Sequence, residues 1–220
     1  TNLDHLLKVG IKNHVNGSLN PKAQFNISIL DLMEIRKARA EERGQPVPDW
    51  KNEMEFLNDA RTNPWIAWPL RLYDCAPITD GATCVLLVAS ELAGNFTDKP
   101  VHIAGTGQAT GRPLHDAVEL TSLSAAKEAA AQAYEMAGIE AGDIQVAEVH
   151  DCFTIAEIIA TEDLGFFGAG EGPHAVDEGR TSRDGDRPIN TSGGLKSKGH
   201  PAVAYTHLRA HETLRELRSP

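Results

Sequence analysis

The sequence predicts a layered α/β fold, in which parallel strands alternate with helices. Three apolar runs, "CVLLVA" at 84–89, "VHIAG" at 101–105 and "IQVAEV" at 144–149, have the length and composition of buried strands. Helix-like segments follow the second and third runs, and this alternation is typical of a sheet covered by helices. In such sheets, functional groups usually lie where strands end and helices begin.

The predicted elements follow one another along the chain. We interpret residues 1–72 as a polar lobe without a large core of its own, because "NGSLNP" and "RTNPWIAWP" are rich in turn-forming residues. Within this lobe, "SILDLMEIRKARAEERG" predicts a helix that Ser28 caps and Gly44 ends. "SLSAAKEAAAQAYEMAG" predicts a helix closed by Gly138, and "TIAEIIATEDLGFF" predicts another. The glycine-rich stretch at 179–204 is a long loop, and such loops are usually functional.

Composition and charge exclude several classes of protein. The 220 residues are 41% hydrophobic and 24% charged, as in an ordinary globular protein. A formal charge of −10 argues against non-specific binding to nucleic acid or to anionic membranes. Three widely spaced cysteines without a CxxC pair favour a reducing compartment, so we expect a cytoplasmic protein. The longest apolar run is too short to span a membrane, and the missing initiating Met suggests a cut start.

His150 and Cys152 lie two residues apart in "EVHDCFT", between the strand at 144–149 and the helix after it. Side chains of residues i and i+2 share one face of a strand, so both groups would enter one cavity while Asp151 faces away. We expect the N-terminus of the following helix to lower the thiol pKa of Cys152. The same spacing also fits a buried apolar cysteine beside a hydrogen-bonded core histidine.

The stretch "NTSGGLKSKGHP" at 190–201 is the second candidate site. Gly193, Gly194 and Gly199 would let the backbone approach a ligand. Pro201 would help to orient His200, and the two lysines of the stretch could meet an anionic ligand. An ordinary surface loop with a solvated histidine is the alternative.

Two further patterns give weaker evidence for a binding site. "GTGQATG" at 105–111 has the spacing GxGxxxG, and no acidic residue follows on a second strand, so we interpret it as a turn and not as a dinucleotide site. His150, Cys152 and His200 could supply three metal ligands, yet no i, i+3 or CxxC pair supports a metal site.

Three motifs occur in a characteristic order: "LYDCAPITDGATCVLLVAS" at 72–90, "HDCF" at 150–153 and "SGGLKSKGHP" at 192–201. Together they resemble the thiolase superfamily, specifically its branch of sterol-carrier-protein-type and archaeal acetyl-CoA acetyltransferases. The resemblance spans about residues 1–203.

The resemblance implies a thiolase fold, layered α/β/α, in truncated form. Thiolases consist of two similar βαβαβαββ halves with a loop domain inserted in the first. Residues 1–72 would be loop-domain sequence of the N-terminal half, residues 73–99 its last strand and a linker, and residues 100–204 a partial C-terminal domain. Residues 205–220 match nothing that we associate with the family, and we interpret them as an assembly artefact or a short amphipathic helix.

The resemblance also implies an acyl-CoA acyltransferase, which performs Claisen condensation or thiolysis of a 3-oxoacyl-CoA such as acetoacetyl-CoA through an acyl-cysteine. His200 would activate the nucleophilic cysteine and hold the thioester oxygen, and His150 would complete the oxyanion hole. Cys152 would be the acid/base at the substrate α-carbon. The CoA channel would be lined by the glycines of the third motif and by Ala76, Pro77, Ile78 and Thr79.

A CoA thioester substrate is expected, with no bound cofactor or metal. The full-length form is expected to be a homo-oligomer, with a small zinc-ribbon/OB subunit as a further partner, and no nucleic acid or membrane span. The family's nucleophilic cysteine would lie upstream of residue 1, since neither Cys75 nor Cys84 occupies a strand-to-helix elbow. This fragment alone is therefore expected to be inactive.

Two rival interpretations stay open. One is a non-catalytic thiolase-like scaffold or lipid-transfer-associated subunit, which would have no physical need for three reactive groups in one cavity. The other is a cysteine hydrolase with Cys152 as nucleophile and His200 as base, which would be acylated by simple esters without CoA.

Overall fold

The computed structural model of the protein describes residues 1–111 and 119–201, so the predicted tail at 205–220 lies outside the described residues. Two short strands, β1 (Trp65–Ala67) and β2 (Leu70–Arg71), form an antiparallel hairpin. Short 3-10 turns lie at Leu72–Asp74, Ser90–Asn95 and Ala141–Asp143. The helices are α1 (Leu3–Ser18), α2 (Ile29–Glu42), α3 (Glu53–Asn58), α4 (Ser124–Ala137), α5 (Thr154–Asp163), α6 (Gly172–Asp177) and α7 (Gly194–Lys198).

Helix α1 lies at the centre of the described structure, although the patterns above do not predict it. Asn2 caps the helix, because its side chain accepts a hydrogen bond from the backbone N–H of His5 at 3.0 Å. One face of α1 joins α2 and α3 in a small apolar core of Leu7, Ile29, Met33, Phe56 and Leu57. The N-terminal lobe therefore has a core, and a second cluster of Leu6, Val9 and Ile158 packs α1 against α5.

The predicted helices form where the sequence places them. Ser28 caps α2 by accepting from the N–H of Asp31 at 3.1 Å, and the chain leaves this helix at Gly44, which has φ +62. Helix α4 ends at Gly138 in the left-handed conformation, as the sequence predicts. Helix α5 follows directly after Phe153.

The predicted strands at 84–89 and 101–105 are wrong for the described structure. Residues 80–104, which we call the exposed segment, contain no strand, and their apolar side chains other than Ala93 are exposed to solvent: Leu87 is 72% exposed. No backbone N–H of residues 84–88 donates to another described residue. A strand gains stability from hydrogen-bonded neighbours, so an apolar run alone does not make one.

The predicted strand at 144–149 is reduced to a single parallel bridge between Ala147 and Ile189. The backbone N–H of Asn190 also donates to the carbonyl of Ala147 at 2.8 Å, and that of Ala147 donates to Pro188 at 3.1 Å. The extended course of this segment is thus retained, and it ends at the "HDCF" motif.

The glycines of 105–111 serve packing. A Cβ on Gly105 would overlap the carbonyl oxygen of Ala133, and one on Gly107 would overlap that of Ala129. The backbone at these glycines therefore lies directly on the alanine-rich face of α4, which explains the glycine pattern without a nucleotide. Within residues 1–111 and 119–201, no helix is long and apolar enough to cross a membrane.

Candidate active site

The strand end at 148–152 separates its side chains onto two faces. His150 is exposed and Cys152 is half-buried, whereas Asp151 between them is fully buried. This alternation is the one that the spacing predicts for an extended strand. His150 and Cys152 therefore face one side of the chain, and Asp151 faces the interior.

Residues 75–79, which we call the bridging segment, connect the two candidate motifs. On one side, Cys75 forms an antiparallel bridge with Phe153, and the N–H of Ala76 donates to the carbonyl of Cys152 at 2.8 Å. On the other side, the N–H of His200 donates to Pro77 at 2.8 Å. "HDCF" and "GHP", about fifty positions apart in the sequence, thus flank one extended segment.

The imidazoles of His150 and His200 meet at the exposed side of this arrangement. Their ring centroids are 5.3 Å apart and the rings are nearly perpendicular. A small oxygen-bearing group beside this pair could accept hydrogen bonds from two imidazole N–H groups. Tertiary structure thereby brings together the two histidines that the sequence nominates as catalytic, and Cys152 follows His150 by two residues on the same strand end.

Burial changes the proton affinities of the two groups from "HDCF". The pKa of His150 lies below its ordinary value, because burial and the nearby His200 both disfavour the imidazolium. The expected lowering of the Cys152 pKa is wrong: burial raises it and outweighs the backbone hydrogen bond at Phe153 that lowers it. At neutral pH the site therefore holds a neutral imidazole at residue 150 and a thiol at residue 152.

The three glycines of the second motif adopt positive φ angles and pack against protein. Gly193 lies against Gly17 of α1, Gly194 against the carboxylate of Asp151, and Gly199 against Thr79. A side chain at any of these positions would overlap its neighbour and would also strain the backbone. These contacts fix the course of the chain before His200, and the substrate-binding role of the glycines stays a prediction.

A buried polar cluster beneath the site is absent from the sequence predictions. Its members are Lys12 and Asn13 of α1, Asp151, Glu157 of α5, Asn190 and Lys196. The grouping of Lys12, Asn13 and Asn16 along one face of α1 is a sequence signal for it, and that signal requires α1 to be recognised as a helix first. Asn190 has φ +54, and both ends of its side-chain amide are hydrogen-bonded: the oxygen accepts from the backbone N–H of Val149 and the nitrogen donates to Glu157, both at 2.8 Å.

Lys196 connects this cluster to the bridging segment. Its ammonium donates to the carbonyl of Cys75, and the side chain is almost fully buried. Burial lowers the pKa of Lys196 to about 8, although Asp151, Cys75 and Asp74 act in the opposite direction. Among the residues that the structure describes, no group of three or more His, Cys, Asp or Glu side chains is arranged to hold a metal ion.

Comparisons with known proteins agree with this architecture. Residues 106–220, more than half of the chain, match the family described as Thiolase C-terminal domain-like. The acetyl-CoA acetyltransferase of Methanothermobacter thermautotrophicus is 39% identical over 219 residues, which cover 99% of this chain and 50% of that protein. Sterol carrier protein 2 of Oryctolagus cuniculus is 31% identical, over 99% of this chain and 36% of its own length. The chain spans half or less of the length of these relatives.

A solved structure shares the fold. The chain described as "Ltp2-ChsH2(DUF35) aldolase" superposes with a TM-score of 0.67 at 23% sequence identity, over 90% of this chain and 47% of that one. The molecule is therefore an α/β protein with a truncated thiolase fold, as its motifs predict. It belongs to the thiolase superfamily, through the Thiolase C-terminal domain-like family, and its relatives include the archaeal acetyltransferases and sterol carrier protein 2.

Proposed function

We propose that the natural-length protein is an acyl-CoA acyltransferase of the thiolase type, which forms or cleaves the carbon–carbon bond of a 3-oxoacyl-CoA such as acetoacetyl-CoA. The observation that carries this proposal is the contact between the imidazoles of His150 and His200 across the bridging segment, at the strand end that also carries Cys152. The similarity to an acetyl-CoA acetyltransferase over nearly the whole chain supports it.

The proposed chemistry needs an enolate beside a thioester. In the condensation direction, the Cys152 thiolate would take a proton from the α-carbon of acetyl-CoA, and His150 and His200 would donate hydrogen bonds to the enolate oxygen. The enolate carbon would then attack the carbonyl carbon of an acyl group carried on another cysteine, which leaves as a thiolate. In the thiolysis direction the Cys152 thiol would return the proton to the α-carbon.

The proton states of the site support these roles. A raised pKa keeps Cys152 protonated at neutral pH, which suits protonation of the enolate in thiolysis. A lowered pKa keeps His150 neutral, so that it can donate a hydrogen bond without becoming the acid itself. The same values make the condensation direction slower at neutral pH, since little thiolate is present.

The acyl group would be carried by a cysteine outside these 220 residues. The thiol of Cys75, in the bridging segment, donates to the carbonyl of Arg71 with an Sγ–O distance of 3.4 Å, and Cys84 lies in the exposed segment. Cys152 itself is assigned to proton transfer. We therefore propose that the nucleophile lies in another part of the natural-length protein.

Substrate and subunit contacts extend the proposal. The backbone of residues 76–79, with Gly193, Gly194 and Gly199, would bound the CoA channel beside His200. The similar solved structure carries DUF35 in its name, which supports a partner subunit, and we propose that this partner is a small zinc-ribbon/OB protein. A homo-oligomer stays a prediction. Three free cysteines suit a reducing cytoplasm.

The test is exchange of the α-protons of acetyl-CoA in deuterated water, catalysed by the natural-length protein and followed by proton NMR. This half-reaction needs the acid/base and the oxyanion donors but no acyl-cysteine. We expect Cys152→Ala to slow exchange by about 10²–10⁴-fold, as for loss of a general acid/base. The matched control Cys84→Ala removes an exposed thiol and should leave the rate unchanged.

Two results would overturn the proposal. Exchange that survives in Cys152→Ala would remove the proton-transfer role. A stable acyl adduct on Cys152 after treatment with a simple acetate ester, found by mass spectrometry in the absence of CoA, would instead support the cysteine hydrolase. Cleavage of acetoacetyl-CoA by free CoA, measured across substrate concentrations of about 1 µM–1 mM that are typical of KM values, tests the substrate separately.

A further inference from the structure

Asp151 is the buried residue of "HDCF", and its carboxylate joins three N–H groups from two other parts of the chain. Its Oδ1 accepts from the backbone of Leu195 at 2.6 Å, and its Oδ2 lies 3.4 Å from the backbone N of Lys196. Its Oδ2 also accepts from the amide of Asn13 at 2.8 Å. One side chain thus ties the strand end that carries His150 and Cys152 to the loop that carries His200.

Asn13 connects this carboxylate to a second one. The same amide nitrogen donates to Glu157 at 2.8 Å, and Glu157 also accepts from Asn190 at 2.8 Å. The ammonium of Lys12 completes the set at 2.7 Å from Glu157. Helix α1 therefore supplies donors to both buried carboxylates, with Asn13 shared between them.

The charges around Asp151 come from three elements. Glu157 of α5 is the like charge, Lys196 of α7 is the opposite charge, and Lys12 of α1 neutralises Glu157. Burial, followed by Glu157, raises the pKa of Asp151 to about 6, against the hydrogen bonds from Leu195 and Lys196. The carboxylate form of Asp151 is thus costly to bury, so its charge alone is weak evidence for a stabilising role.

Close packing makes the connection stiff. A Cβ on Gly194 would overlap the Asp151 carboxylate, so the loop backbone rests directly on the acid. On the opposite face, Glu148 accepts from the backbone N–H of Ser192 at 2.9 Å and from Lys198 at 3.2 Å. That outer contact is exposed to solvent and is worth little on its own. The interior contact at Asp151 is the one that can fix a geometry.

We propose that Asp151 is a positioning residue, which acts through the backbone of residues 194–200 to hold the His200 imidazole at its distance from His150. The proposal rests on the function proposed above, because it explains how the two histidines proposed to form the oxyanion hole are held in position. Asn13 is the second member of the support, since it orients the Asp151 carboxylate from α1.

The test is Asp151→Asn, with the imidazole titration of His150 followed by NMR in the 220-residue chain and assigned with His150→Gln and His200→Gln. Asparagine keeps the shape but offers one acceptor oxygen, so its NH₂ group must face an N–H donor. If the loop then moves, His150 loses both causes of its lowered pKa, and its midpoint shifts upward towards the ordinary value of 6.5. The control Asp186→Asn makes the same change in an exposed pair with Arg180 and should leave the midpoint unchanged.

An Asp151→Asn chain that keeps its helical circular dichroism and an unchanged His150 midpoint would overturn the proposal, even if it melts at a lower temperature. The unmutated chain gives an independent measurement, should the variant fail to fold. There the amide proton of Leu195 should exchange at least about tenfold more slowly than an unbonded amide. The amides of Leu195 and His200 should also shift together near pH 6, as Asp151 takes up a proton.

An unprotected Leu195 amide, or a His200 amide that does not follow the Leu195 shift, would contradict the proposal. Neither measurement involves substrate turnover. If the protein fails the α-proton exchange test but gives the expected results in both NMR measurements, Asp151 still positions the histidine pair. If the two NMR measurements fail while α-proton exchange of acetyl-CoA proceeds, the proposed function stands and only the role of Asp151 is removed.

Discussion

The exposed segment and the strand end that follows the predicted strand at 144–149 make an instructive comparison, because each includes or continues an apolar run with the composition of a buried strand. The strand end is bonded on two sides, to Ile189 and Asn190 and to the bridging segment. The exposed segment has local turn contacts, and residues 84–88 donate no backbone hydrogen bond to any other described residue. The difference teaches that strand character depends on available neighbours more than on composition.

The same comparison separates two uses of polar residues. Around the strand end, buried amides and carboxylates join segments that are far apart in the sequence, as Asn190 joins Val149 to Glu157. In the exposed segment, the polar contacts with other described residues are few and lie mostly within the segment, such as that of Ser90 with His102 at 3.4 Å. We expect the cooperative part of the molecule to be the part joined by the buried network.

The largest expected effect is in amide hydrogen exchange. Amides of α1 and α5 should exchange at least about a thousandfold more slowly than those of residues 84–88, because the former open only with the folded core. Mass spectrometry of peptides from the deuterated chain measures this ratio. Comparable protection in both regions would show that residues 84–88 find partners in solution, and the contrast between the two regions would then fail.

Two matched leucine truncations test the comparison by mutation. Leu57 is fully buried in the core of α1, α2 and α3, whereas Leu87 is 72% exposed. Leu57→Ala should reduce the free energy of unfolding by about 2–5 kcal/mol. Leu87→Ala should change it by less than about 0.5 kcal/mol. Urea denaturation followed by circular dichroism gives both values, and equal losses would contradict the assignment.

A smaller effect is expected from pH. His14 is buried between the rings of Phe25 and Tyr73, and burial followed by the charge of Lys196 lowers its pKa to about 4. A depressed pKa means that the neutral form is the folded one. Its contribution to stability is fully present above about pH 6.5 and is lost as the pH falls towards 4. Lowering the pKa from 6.5 to about 4 corresponds to roughly 3 kcal/mol in total.

His14→Leu should therefore remove this acid-dependent loss, so that the variant and the unmutated chain converge or cross between pH 6.5 and 4. Asp151 has the opposite sign, because its pKa is raised to about 6 and its stabilising contribution is lost as the pH rises from 3.8 through that value. Asp151 is present in both proteins, so its contribution cancels in the difference between their free energies of unfolding. His102→Leu in the exposed segment is the control, and an equal change in its pH profile would count against burial as the cause.

The motifs allowed much of the site to be predicted. His150 and Cys152 could be placed on one face from their spacing, with Asp151 on the other, and the structure places them so. The meeting with His200 could be inferred only through the family resemblance, since the two motifs are separated by about fifty residues of chain. The Cys152 pKa could not be predicted, because burial competes with the backbone hydrogen bond at Phe153 and only the packed structure decides which is larger.

The sequence by itself determined helices α2, α4 and α5, the Ser28 cap of α2, the Gly138 end of α4 and the identity of the reactive side chains, because these depend on residues a few positions apart. Tertiary structure alone decided which apolar runs became strands, since that requires a neighbour for each backbone N–H and C=O. It also decided that Asn13 of α1 would meet Asp151 and Glu157. Such contacts between distant segments leave no local sequence pattern, because Asn, Asp and Glu are also common residues on protein surfaces.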